Sequence, residues 1–120
     1  MRQFERLPLQ DETNLSLNEV PHYFKTAYIP DDKFLVMGGL ERETSITSRR
    51  CFIIDEKGKI SVTNDMQIGR QYMTICSDYS QDKIYVIGGF NSESGLLRSF
   101  ETFSIRARKW QLSSEDKDKH

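Results

Sequence analysis

The chain has 120 residues, 17 Lys and Arg against 18 Asp and Glu, and a formal net charge of −1. That length allows one domain or part of one. The balance of charge excludes both the basic excess of a nucleic-acid surface and a polyanionic tail, and 11% aromatic residues argue against disorder. At the N-terminus, Arg2 and Arg6 have no apolar stretch behind them, so a cleaved secretory signal is not expected. The short run Phe4 to Leu9 is read as the last strand of a preceding unit, and Gln10 to Glu19 is polar.

Strands then follow one another. His22 to Ile29 is a predicted strand, Pro30-Asp31-Asp32 a turn, and Phe34 to Gly39 a second strand. Glu41 to Ser48 reads as a loop, Arg49 to Asp55 as a third strand, Glu56-Lys57-Gly58 as a turn and Lys59 to Thr63 as a fourth strand. The pattern recurs: Tyr72 to Cys76, a turn at Tyr79 to Asp82, Lys83 to Gly89, a polar loop from Asn91 to Gly95, Arg98 to Ile105, a turn at 106–108, and Lys109 to Leu112. Lys83 to Gly89 is apolar at consecutive positions, which predicts burial on both faces. No segment carries a 3.6-residue period, so the chain is expected to be all-β. The longest apolar runs, Phe34 to Leu40 and Ile84 to Phe90, fall far short of the ~20 residues of a membrane span.

The recurrence is a true internal repeat. Asp32-Lys33-Phe34-Leu35-Val36-Met37-Gly38-Gly39-Leu40 returns 50 residues later as Asp82-Lys83-Ile84-Tyr85-Val86-Ile87-Gly88-Gly89-Phe90. Self-similarity at this period marks solenoids and propellers. A glycine pair closing an apolar strand permits backbone torsions or a close approach that a Cβ would block. Arg70 stands beside a strand junction, where its five donors can reach loop carbonyls of the next blade.

These residues resemble the kelch repeat, the unit of kelch-type β-propellers. The family motif runs from a hydrophobic strand ending in Gly-Gly, through a Tyr-Asp-like pair and a Trp, to a Met and an Arg before the next blade. The first copy supplies Gly38, Gly39, Ile54-Asp55, Ile60, Met66 and Arg70; the second supplies Gly88, Gly89, Glu101, Phe103 and Trp110. Ile60 departs from the aromatic, the turn before it is one residue short, and Val20-Pro21-His22 lacks the arginine of Gly69-Arg70. The resemblance implies two four-stranded antiparallel blades: 22–66 as blade 1 and 67–113 as blade 2, after an N-terminal segment 1–21 and before a disordered charged tail 114–120.

A propeller has about 4–8 blades of about 50 residues, so two blades make an incomplete ring. The expectation is a piece of a longer propeller. Completion by self-association or by another chain, and a stand-alone small β domain, are the alternatives.

Catalysis finds little support in the residues. His22 and His120 are the histidines, the second in the charged tail, and neither GxSxG, HExxH nor a phosphate loop is present. Some kelch-like copper oxidases use a Tyr–Cys crosslink; Tyr72 and Cys76 lie four apart, but nothing else there resembles a copper site. Neither a metal nor a cofactor is expected. Cys51 and Cys76 read as reduced, packed thiols, and the expected compartment is the cytoplasm. In the kelch family, protein partners dock on the rim of loops after Gly-Gly and between blades. The resemblance therefore implies a non-enzymatic protein-binding module, with Leu40, Arg42, Arg70, Tyr72, Phe90, Asn91 and Ser92 as candidate partner-binding residues. A structural subunit covered by a larger assembly is the alternative, and a propeller enzyme the remote one.

Overall fold

The computed structural model describes residues 15–113. The run Phe4 to Leu9 and the tail 114–120 lie outside the described residues. Two four-stranded antiparallel sheets account for most of the rest, and no α-helix occurs among the described residues. The first is a meander of β1 (Lys25–Ile29), β2 (Lys33–Met37), β3 (Cys51–Ile54) and β4 (Ile60–Thr63). The second is β5 (Thr74–Asp78), β6 (Lys83–Ile87), β9 (Phe100–Ser104) and β10 (Lys109–Leu112), joined in that order. The loop expected between Asn91 and Gly95 contains a two-residue hairpin instead, β7 (Phe90–Asn91) against β8 (Gly95–Leu96).

Turn chemistry sets the registers. Asp31 and Asp32 have φ of 72° and 57°, a conformation Asp tolerates, and the turn pairs Ile29 with Lys33. At the β3–β4 turn, the Asp55 carboxylate accepts the amides of Lys57 and Lys59 at 2.9 Å each. The Lys59 amide, with that of Lys57, holds the Asp55 carboxyl below its ordinary range. The strand pairs place Ile54 opposite Ile60 and Phe103 opposite Trp110, so the shorter turn of the first copy leaves the two ladders equivalent.

The main core lies between the sheets. Blade 1 contributes Leu35, Met37, Cys51 and Ile53; blade 2 contributes Ile84, Val86, Phe103 and Trp110. Met66 and Met73, from the segment joining the blades, close this core. Trp110 packs on Phe103 with ring centroids 4.8 Å apart and donates its indole N–H to the Asn64 carbonyl at 3.1 Å. A smaller cluster on the far face of blade 1 gathers Val20, Val36, Phe52 and Ile60. Both faces of β2 are therefore covered from Leu35 to Met37, which are all buried, while Phe34 at its start is exposed. The equivalent strand β6 corrects the expectation of two-sided burial: Ile84 and Val86 are buried, but Tyr85 is half-buried and Ile87 is 45% exposed. Alternate residues point to opposite faces, and only one face of β6 meets another sheet.

Each glycine pair joins a blade to its own entry segment, and Gly39 also bonds the next blade through the Arg70 carbonyl. His22 and Leu40 exchange reciprocal backbone bonds at 2.8 Å, as do Gln71 and Phe90 at 2.9 and 2.8 Å. Gly39 and Gly89, with φ of 100° and 101°, let these segments cross. A Cβ on Gly39 would collide with the His22 carbonyl oxygen, and one on Gly89 with that of Gln71.

Two outcomes follow. Gly39→Ala combines a left-handed φ with a backbone clash and is expected to cost about 3 kcal/mol in urea unfolding. Gly58→Ala, at φ 86° with open space around it, costs only about 1 kcal/mol. The second concerns Cys51, whose burial pushes its thiol up to about 12. Since the thiolate is the reactive form, Cys51 should stay unmodified by a thiol reagent at pH 8 in the native protein and react in denaturant, as read by peptide mass spectrometry.

Candidate functional site

The Gly-Gly ends of β2 and β6 lie at one rim of the two sheets, where the post-glycine loops and the blade junctions come together. Directly after the bridging residues His22 and Gln71 stand Tyr23 and Tyr72. Both have φ of 59°, and they are 65% and 66% exposed. A left-handed conformation is uncommon for a bulky side chain. It recurs here because both junctions make the same sharp crossing over a glycine.

The two loops are clasped to each other. The Thr47 amide donates to Ser92 Oγ at 3.1 Å, and the Ser92 amide donates to Thr47 Oγ1 at 2.8 Å. The Gln71 amide group adds a bond to Thr47 Oγ1 at 2.9 Å. Asn91 donates to the Gly69 carbonyl at 2.9 Å, and its Oδ1 accepts the amides of Glu93 and Ser94. These bonds fix the hairpin of blade 2 against the loop of blade 1. They leave Ile46, Phe90 and Leu96 exposed, Leu96 at 84%.

Charged groups on the blade 1 side are tied into the loop. Arg50 donates to both Glu41 carboxylate oxygens at 2.8 and 2.9 Å and to the Glu19 carbonyl at 2.9 Å, with its guanidinium 5.1 Å from the Phe52 ring centroid. Burial acts to raise the Glu41 carboxyl, but the bonds from Arg50 and Ser48 outweigh it and hold the group below its ordinary range. Arg42 donates to the carbonyls of Val20 and Leu17, at 2.8 and 3.4 Å.

The candidate partner-binding residues thus separate. Tyr72 and Phe90 are exposed on the rim, and Ser92 is exposed at the clasp. Arg42 is exposed along a side chain bound to backbone carbonyls. Leu40 is half-buried between His22 and Thr47, and Asn91 is half-buried with its amide committed to the loop. Arg70 requires correction as a binding residue, because it is fully buried. Its guanidinium donates to Glu101 at 3.2 Å, to the carbonyls of Gly88 and Ser99 at 3.0 and 2.9 Å, and to Ser99 Oγ at 2.7 Å. Glu101, also fully buried, accepts the amides of Gln67 and Ile68 at 2.6 and 3.0 Å. The arginine does reach loop carbonyls, but those of its own blade.

Sequence reasoning passed over Tyr23, Ile46 and Leu96. Tyr23 could have been found by its 49-residue offset from Tyr72, and Leu96 as an apolar residue directly after a polar loop. Tyr72 precedes β5, whereas Cys76 lies within it opposite Tyr85, and Cys76 is exposed, not packed as expected. Among the described residues no three His, Cys, Asp or Glu side chains gather into a metal-binding group, and no helix is long and apolar enough to cross a membrane.

Removing one partner of a buried ion pair strands the other charge, at a cost of roughly 3–5 kcal/mol. Arg70→Met is expected to lose that much in urea unfolding. The double variant Arg70→Met/Glu101→Leu should recover part of it, with a coupling of about 1–3 kcal/mol. Equal and additive losses would show that the pair is not coupled.

Comparison with known proteins agrees with this geometry. A family model described as the kelch motif matches residues 76–115. An F-box/kelch-repeat protein of Arabidopsis thaliana is 27% identical over 94 residues, which cover 77% of this chain and 23% of the relative. A solved fungal alcohol oxidase of the AA5 family, in complex with copper, is similar with a TM-score of 0.57 and 30% identity, over 74% of this chain and 18% of that one. The chain therefore spans under a quarter of either protein. Two glycine-jointed sheets of four antiparallel strands, repeated at 50 residues, with a kelch motif across the second of them, give this chain the build of kelch-type β-propeller blades.

Proposed function

We propose that this chain is a non-enzymatic protein-binding module that holds its partner on the rim at the Gly-Gly ends of the blades. Kelch repeats generally mediate protein–protein interaction, and the curated relative is named for such repeats. The observation that carries the reading is the clasped rim. A reciprocal Thr47–Ser92 bond pair and the Gln71 and Asn91 amides hold two loops rigid, while Tyr23, Tyr72, Phe90 and Leu96 stay exposed. Preorganised aromatic anchors lose little entropy on binding, and Tyr is enriched among interface hot spots. The rim differs in this respect from a catalytic cleft: its polar side chains are consumed in holding the loops, not aimed into a cavity.

The test uses the immobilised chain to capture partners, identified by mass spectrometry and then titrated as purified proteins. Tyr72→Ala and Phe90→Ala should each weaken the captured partner by about 2 kcal/mol, roughly 30-fold in Kd, with the β-type circular dichroism intact. Unchanged affinity in both variants would remove the rim from the reading.

A further inference from the structure

At the end of the sheets opposite the Gly-Gly rim, the turns of the two blades differ. In blade 1, Ile29 pairs with Lys33 across Pro30, Asp31 and Asp32. In blade 2, Asp78 pairs with Lys83 across Tyr79, Ser80, Gln81 and Asp82. The repeat offset changes here, from 49 residues between Lys25 and Thr74 to 50 between their partners Met37 and Ile87. The longer turn winds into a short 3-10 segment, Tyr79–Gln81. Its first residue reaches across to blade 1. The Tyr79 hydroxyl donates to the Tyr28 carbonyl at 2.7 Å, and the two rings stand edge to face, with centroids 6.4 Å apart and planes at 80°.

This contact leaves both rings open to water: Tyr28 is 43% exposed and Tyr79 49%. The place of Tyr28 is held in blade 2 by Ser77, which is exposed even though its strand partner Ile84 lies in the inter-blade core. Exposure is therefore a property of this position, at the end of the sheets where one blade no longer covers the next. Beside the rings stand Asp31 and Asp32, both exposed, with Asp32 Oδ1 3.5 Å from the Tyr28 hydroxyl. Among the described residues neither carboxylate is ion-paired. The neighbouring lysines lie elsewhere: the registers put Lys33 on the face of Leu35, opposite Tyr28, and Lys83 on the face of Tyr85, away from blade 1.

We propose that this corner is a second docking surface, which takes a lysine or arginine side chain from a basic segment of a partner protein. Two aromatic faces attract a cation through their ring quadrupoles, and the two free carboxylates add opposite charge. The complementarity is specific in sign, because an acidic segment would be repelled by the same carboxylates. The fold does not require the arrangement, since the three-residue turn of blade 1 closes an equivalent hairpin without an aromatic. The surface lies away from Tyr72 and Phe90, so it stands or falls independently of the rim.

Peptide titration at low salt tests this, with tri-arginine and tri-glutamate as probes and amide chemical shifts of the labelled chain as the readout. Tri-arginine is expected to shift the amides of residues 28–33 and 79–82 and to leave those of Tyr72 and Phe90 in place; tri-glutamate should shift neither set. Tyr79→Ala, which removes a ring, and Asp32→Asn, which removes a charge and tolerates the left-handed φ, should each weaken tri-arginine by about 3-fold. Tyr79→Phe keeps the ring and loses only the bond to the Tyr28 carbonyl, so it should bind as the wild type does. Shifts spread evenly over the surface, equal binding of tri-glutamate, or wild-type affinity in Tyr79→Ala would each overturn the proposal. A loss caused by Asp32→Asn alone would reduce the site to general charge attraction and overturn it as well.

Discussion

The crossing of each junction strand over a glycine is the constraint on which the other features depend. Gly39 lies against the His22 backbone and bonds the Arg70 carbonyl, so one residue ties a blade to its own junction and to the next. No Cβ fits there. Because the crossing is so close, the residue after each bridge is driven to a positive φ, which turns Tyr23 and Tyr72 outward. Because the junction is pinned, Met66 and Met73 are carried into the space between the sheets. Rim and core are two ends of one backbone arrangement.

The same position in the two blades is solved by different chemistry. In blade 2, Arg70 and Glu101 form a buried ion pair whose remaining donors and acceptors are met by backbone groups. In blade 1, Pro21 stands at the place of Arg70 and Phe52 at that of Glu101, and Phe52 packs with Val20, beside Pro21, in one apolar cluster. A buried charge is costly unless partnered, whereas an apolar pair of suitable volume needs no partner. Each blade is thus self-consistent in its own chemistry.

Much of this was legible in the residues. The glycine pairs, the 50-residue offset and the turn residues located all eight blade strands to within a few positions, since period and turn chemistry are local properties. Arg70 was misplaced on the rim because its burial depends on Glu101, a long-range partner that only the fold brings near. The apolar run through Ile87 suggested burial on both faces, yet sequence cannot show whether a second sheet lies against the outer one. Phe90 was picked because it follows Gly89 and Tyr72 because it follows Gly69-Arg70 at the blade junction, and the structure leaves both exposed. Tyr23 was missed because its blade lacks the Gly-Arg that drew attention to its counterpart. The clasp of Thr47 and Ser92 left no signal, as two hydroxyl residues 45 apart carry no periodicity.

The central claim is that the glycine joints and the core between the sheets make the two blades one cooperative unit, as expected where neighbouring repeats bury each other's faces. Site-resolved native-state hydrogen exchange tests it most directly. The account predicts that the slowest amides of β2, those of β6, and the bridging amides of Leu40 and Phe90 share one opening free energy. Separate values for the two sheets, with one blade opening while the other stays protected, would contradict it.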